Sequence, residues 1–299
     1  MFLTVSLLGR RLIFVTGKGG VGKTTVALAL GLAGARAGRR TIVADLAGED
    51  DLREREVAPG LFRISVDPQS AMEEYLSVKV PGPAAVALRQ SKLFQTFAMA
   101  TPGMRELLCM GKLWELAQFE RRTRDADAYD LVIVDAPSSG HGAALLRTPR
   151  TFAEVARVGP IAHQARTIAE TIADRSFTAV VAVSTPEEMP VNETFELRDA
   201  LAAAPEPHEL ELVFLNGRYP DRFTSADAEL LSRAAADASA AALAAIDVAL
   251  AEHRRAQLHG AQQQRLRAEF GERLRVLPYL FEPSIELPQL ELLAGELGL

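Results

Sequence analysis

Cysteine is nearly missing from this sequence: Cys109 is the only one in 299 residues. One thiol cannot build an intrachain disulfide framework, nor a zinc or iron–sulfur centre that draws several cysteines from one chain. A reducing cytoplasm is the compartment this implies. Lysine is almost as scarce, at positions 18, 23, 79, 92 and 112 only, and the formal net charge is −6. A chain with that balance has no surface built for nucleic-acid phosphates or anionic lipid, so nucleic acid is not an expected partner. Long apolar runs are also missing. The opening Met1–Leu8 is too short to span a bilayer and has neither a basic leader nor a small-residue cleavage site, so neither a signal peptide nor stable membrane insertion is expected. There is no internal repeat and no low-complexity linker, and residues 1–299 read as one domain.

What is present is a rhythm. Hydrophobic residues make up 48% of the chain, enough for a sizeable core. Short β-branched runs alternate with longer helical patterns, which predicts an α/β fold: a doubly wound, mostly parallel sheet covered by helices on both faces. The expected strands are 12–16, 41–45, 131–135, 179–184, 212–216 and 274–277. Most lead into Gly, Pro or Asp at their carboxyl ends, where open α/β sheets place ligands. The first helix is expected from Gly22 to Ala37, stopping at Gly38. Two segments stand outside the rhythm and read as helical insertions, 71–124 and 225–273. Ordinary core packing accounts for both. For 71–124, which carries Phe94, Phe97, Met99, Met104, Cys109, Met110, Leu113 and Trp114, the rival reading is a client-binding surface, because methionine adapts to varied shapes.

The most specific motif is Gly17-Lys18-Gly19-Gly20-Val21-Gly22-Lys23-Thr24, followed by Thr25. It sits between a strand, Ile13-Phe14-Val15, and a helical run, Val26 to Leu30, the context a phosphate-binding loop demands. Glycines there let main-chain N–H groups close on a triphosphate at a helix N-terminus. Lys23 is expected to neutralise the β- and γ-phosphates, and Thr24 to offer its hydroxyl to Mg²⁺. The run Leu131-Val132-Ile133-Val134-Asp135 is a buried strand ending in an acid, which places a carboxylate near the water shell of that ion. ATP and Mg²⁺ are therefore the expected cofactors.

Lys18, directly after the first glycine, gives the deviant Walker A form. With it the chain resembles the family of dimeric ATPases that includes MinD, ParA, the nitrogenase iron protein and the arsenite-pump ATPase. Asp135-Ala136-Pro137-Ser138-Ser139-Gly140-His141 resembles the switch of the pump ATPase and of the ATPases that target tail-anchored proteins. The segment from Thr185 to Thr194 and the strand Val213-Phe214-Leu215-Asn216 look like further family segments, so the resemblance covers most of the chain. It implies that Lys18 reaches across a dimer to the partner's phosphates, that Asn216 reads adenine, and that 277–288, with Pro278, closes over the base. It also implies a homodimer, or a heterodimer with a paralogous ATPase, and a protein client. Lys18, Lys23 and Asp45 are the expected catalytic residues.

The family's pattern is not kept everywhere. After the second strand the targeting ATPases carry an aspartate that polarises water; here strand length puts Asp45 at the strand end and Ala47 at that position. Asp45 takes the role only if the register slips by two, with Glu49, Asp50 and Asp51 as nearby substitutes. The cysteine pair that clasps the targeting dimer is missing, as are the cysteines for arsenite or an iron–sulfur cluster. Three readings follow: a dimeric ATPase switch, a nucleotide-binding subunit without hydrolysis, and a surface-positioning ATPase. The last needs a basic tail, whereas Ile285–Leu299 has no lysine or arginine. His141 reads as a general base or as a hydrogen-bonded hinge; no metal site beyond Mg²⁺ is expected.

Overall fold

The computed structural model describes residues 7–46, 52–80, 82–123, 126–156, 158–204 and 208–299. Its centre is an eight-stranded sheet: β1 (Leu12–Gly17), β2 (Thr41–Asp45), β3 (Arg55–Ala58), β4 (Leu61–Ser65), β5 (Leu131–Asp135), β6 (Thr178–Ser184), β7 (Leu210–Arg218) and β8 (Leu274–Pro278). The spatial order is β3-β4-β2-β5-β1-β6-β7-β8, with every neighbouring pair parallel except the β3/β4 edge. The doubly wound α/β fold read from the sequence is the observed one.

Alternation along each strand builds two cores. Leu12 and Phe14, Ile42 and Ala44, and Val132 and Val134 face one layer; Ile13, Val15, Val43, Leu131 and Ile133 face the other. The second layer is covered by α1 (Lys23–Arg36). Gly31 and Gly34 let α1 lie close on the sheet, because a Cβ at either would press into Leu61 and Val43, or into Leu131 and Thr41.

On the other side α2 (Pro68–Lys79), α3 (Gly82–Gln90) and α4 (Lys92–Ala100) gather beside α5 (Met104–Leu116) around a small core of their own, Met72 and Leu76, while α5, α6 (Ser139–Ala156), α7 (Pro160–Ala173) and α8 (Glu188–Ala202) cover the sheet layer. Beyond β7 come α9 (Ser225–Ala234), α10 (Ala240–Phe270) and, after β8, α11 (Leu287–Glu296). The two helix starts after β7 are capped by Thr224, whose hydroxyl accepts from the Asp227 N–H, and by Ser239, which accepts from Ala242. α11 returns to the phosphate-loop side, where Leu293 and Leu297 are buried in the second core and Arg36 pairs with Glu291 at 3.3 Å. The acidic tail is thus packed on the fold.

The structure adds detail at three places. The hairpin β3/β4 was not anticipated, because Arg55, Glu56 and Arg63 interrupt the apolar pattern of an edge that stays partly in water. The insertion at 71–124 is four helices ending at Leu116, followed by a non-helical stretch, with Pro102 and Gly103 separating α4 from α5. The segment 225–273 likewise includes 3-10 turns at Ala235–Asp237 and Gly271–Arg273.

Candidate nucleotide site

β1 is the central switch point of the sheet: the chain leaves it toward β2 on one side, and β6 lies on the other. The crevice at the carboxyl end of such a strand is where doubly wound sheets bind ligands. Gly17 ends β1 with φ 149° against the backbone of β6, and a Cβ there would drive into the Val183 carbonyl. Gly22 caps α1 in the left-handed region, φ 90°. Only glycine takes these two conformations without strain, so the loop's curvature follows from its sequence.

The loop side chains are held by named partners. Lys23 Nζ donates to the Lys18 carbonyl at 3.0 Å, closing the loop around the ammonium. Thr24 Oγ1 donates to Asp135 Oδ2 at 2.5 Å, so the hydroxyl on α1 and the acid at the end of β5 converge. Asp45 stands beside Asp135 in register on the neighbouring strand and pairs with Arg63 at 3.1 Å. Burial raises the Asp135 carboxyl above its ordinary range, and the Asp45 charge adds to that, against Thr24 and Lys23. Burial likewise lowers Lys23, with Asp135 opposing. The site brings together two acids, one half-buried ammonium and a hydroxyl.

Those groups fit a magnesium nucleotide. A hard divalent cation takes oxygen ligands, and Thr24 with Asp135 supplies a hydroxyl and a carboxylate at one point, with Asp45 adjacent. The loop glycines leave the concave backbone that a phosphate needs.

The remaining expected residues fall around this centre. Asn216, at the end of β7, donates from Nδ2 to the Val21 carbonyl at 2.9 Å and packs on Gly22, so it braces the loop. Pro278 ends β8 in register with Arg218, which brings it to the same end of the sheet as Asn216. Beyond it Tyr219, Tyr279 and Phe281 contact one another, with centroids 4.5 to 5.4 Å apart. Gly19 and Gly20 lie on the exposed rim, and Thr25 is half-buried in the first turn of α1. Ala47, Glu49, Asp50 and Asp51 lie outside the described residues, as do the side chains of His141 and Phe97.

Two partners were not foreseen. Lys18 Nζ pairs with Glu193 of its own chain at 2.6 Å, across from α8. The sequence placed Glu193 in a family-like segment but gave it no role. Arg63 was invisible because β4 itself was not recognised.

A separate apolar cavity of about 280 Å³ lies between α2, α4, α5 and α7, away from the phosphate loop. Met72, Leu76, Phe94, Met104 and Leu107 are among its lining. The two readings of 71–124 divide by residue: Met110 and Leu113 are core, whereas Phe94 and Met104 face the cavity. Among the described residues no helix is long and apolar enough to cross a membrane.

Comparison with known proteins agrees with this geometry. The family model described as anion-transporting ATPase matches residues 10–159, half of the chain. The chain is 30% identical over 213 residues to the ATPase BagA of Mycobacterium tuberculosis, covering 66% of this chain and 62% of that protein. It is 29% identical over 152 residues to the ATPase GET3 of Podospora anserina, 46% of this chain and 43% of that one. The arsenical pump-driving ATPase of Acidiphilium multivorum is 28% identical over 166 residues, 50% of this chain and 27% of the relative. The chain thus spans less than two thirds of the length of the relatives it matches.

Proposed function

Since this chain belongs to the anion-transporting ATPase family, we propose that it binds Mg-ATP at the loop from Gly17 to Thr25, hydrolyses it to ADP and phosphate, and uses the cycle as a dimeric switch for a protein or membrane-associated client. The observation that carries this reading is the junction of Thr24 with Asp135 beside Asp45, closed by Lys23.

Each residue has a task in that reading. The loop N–H groups and Lys23 hold the β- and γ-phosphates and disperse their charge. Thr24 and Asp135 are the residues that would hold a magnesium ion, Asp135 by way of water. When bound, the ion offsets negative charge on the phosphoryl oxygens. For Asp45 to orient the attacking water it has to leave Arg63 and move beyond its place at the end of β2, in register with Asp135. Lys18 leaves Glu193 to reach the partner subunit's phosphates, as an arginine finger would. Asn216 and Pro278 hold the base, the amide being able to donate and accept along one edge. The cavity beside α5 is where the client's apolar segment is held.

One observation favours a second reading, in which the chain binds nucleotide without turning it over and completes a heterodimer with an active paralogue. Asp45 is committed to Arg63 at 3.1 Å, and Ala47 has no group to orient water. Steady-state hydrolysis by the purified chain, with light scattering for its oligomeric state, separates the two. Turnover by a homodimer supports the switch; tight binding with no turnover moves the reading to the regulatory subunit. A chain whose oligomeric state and helix positions are unchanged by bound ATP would overturn the switch.

A further inference from the structure

A charged cluster, buried at Arg121, Glu115 and Lys112 and open to solvent at Glu54 and Glu74, lies between the sheet edge and the cavity. Its centre is Arg121, in the non-helical stretch after α5, whose side chain has no exposed surface. One edge of its guanidinium meets Glu54, with NH2 at 2.7 Å and NH1 at 3.2 Å. The other meets Glu115 on α5, with Nε at 2.8 Å and NH2 at 3.0 Å. Tyr129 fixes Glu54 from behind, its hydroxyl donating at 2.7 Å. Lys112 then bridges Glu115 at 3.2 Å to Glu74 on α2 at 2.8 Å, and the Thr123 hydroxyl lies within hydrogen-bond distance of both carboxylates, at 3.1 and 2.7 Å. Burial pushes the Glu115 carboxyl upward, but Arg121 and Lys112 hold it down at about 2.

The two ends of this cluster differ in what they touch. Glu74, Lys112 and Glu115 line the apolar cavity together with Trp114. Glu54 directly precedes β3, where Arg55 stands opposite Arg63 of β4, and Arg63 holds Asp45 at the nucleotide end. Nucleotide binding changes the demand on Asp45 and hence the hold on Arg63 and the β3/β4 edge. A buried charge is costly without its partner, and a guanidinium fork is rigid. Glu54, Arg121 and Glu115 therefore move together.

From this arrangement we infer that Arg121 is the positioning residue through which the nucleotide end of the sheet sets the shape of the apolar cavity. The inference rests on the switch reading above and names its route. It acts through α2 and α5, whose facing surfaces line the cavity and are tied by Lys112 and Glu74. Arg121 itself touches neither the phosphate loop nor the cavity lumen.

Trp114, the chain's only tryptophan, reports on the cavity. Its Nε1 donates to Thr171 at 3.0 Å, and Arg122 lies 4.3 Å over its ring, so its emission changes when α5 moves against α7. The full chain is titrated with Mg-ATP while Trp114 emission is followed, with a fluorescent ATP analogue measuring affinity separately. The wild type is expected to show a saturable shift. Arg121→Met is expected to lose that shift while nucleotide affinity stays within about twofold, since the bonds of Arg121 run to Glu54 and Glu115 and none to the phosphate loop, and Arg121→Lys is expected to restore part of it. An Arg121→Met chain that melts cooperatively and gives the full wild-type response would overturn the inference. If Arg121→Met does not fold, Glu54→Gln, which keeps shape and an acceptor, is expected to diminish the response; a full response would again overturn it. A wild type that binds nucleotide with Trp114 silent overturns the switch reading and this inference with it, whereas a responding wild type matched by the Met variant overturns only the role of Arg121.

Discussion

Asp135→Asn separates what the nucleotide site costs from what it does. Asp135 and Asp45 face each other on adjacent strands, and the Asp135 carboxyl is raised by burial first and by Asp45 next. A carboxyl raised in the folded state destabilises the fold at every pH above its folded-state value, and the cost fades as pH falls through it. At neutral pH the penalty is fully present. Two like charges on neighbouring strands, roughly 5 Å apart at an effective dielectric near 20, repel by about 3 kcal/mol. Lys23 and Thr24 offset much of this, and asparagine retains an acceptor for the Thr24 hydroxyl. The expected net is a gain of ~1 kcal/mol in unfolding free energy of the nucleotide-free chain. Affinity for Mg-ATP should fall by roughly 10- to 100-fold, the usual effect of removing a group that supports a metal site. Denaturant unfolding at pH 7 reads the first number and calorimetric titration the second. A variant that is less stable than the wild type and binds Mg-ATP as tightly would refute the charge argument on both counts.

Other outcomes follow from the same geometry. Gly22→Ala forces a side chain into a left-handed backbone and into the Asn216 amide, so it should cost roughly 1–3 kcal/mol and abolish nucleotide binding, checked by melting and by titration. Cys109 is buried and its thiol is pushed up to about 12 by burial, so a thiol reagent at pH 8 should leave the native chain unmodified and label it fully in denaturant. Glu115 is held down at about 2, so its contribution is complete above its unfolded value and disappears as pH falls toward 2. That loss is on the order of 3 kcal/mol, and acid unfolding of Glu115→Gln should lack this component.

Much of the fold was legible because strand and helix periods differ. The runs at 41–45 and 131–135 match β2 and β5 residue for residue, and Gly38 lies just past α1. The turn from Gly17 to Thr24 between β1 and α1 was legible because its glycines, lysine and threonine fall at a fixed spacing within one turn. What stayed hidden depends on contacts between distant segments. Arg63 reaches Asp45 only because β4 pairs with β2, and Glu193 reaches Lys18 only once α8 lies beside the loop. Asn216 was assigned to the base by resemblance, whereas its bond to Val21 follows from the packing of β7 against the loop. The cluster around Arg121 gathers residues from 54 to 129, and no spacing in the sequence announces it.

The central claim is that the loop closed by Lys23 receives Mg-ATP. Calorimetric titration of the purified chain with Mg-ATP, beside Lys23→Ala, tests it directly. Saturable binding that Lys23→Ala weakens by roughly 100-fold or more is the result predicted from a half-buried ammonium beside the phosphates. Equal binding by the two chains, or none by the wild type, would contradict the account.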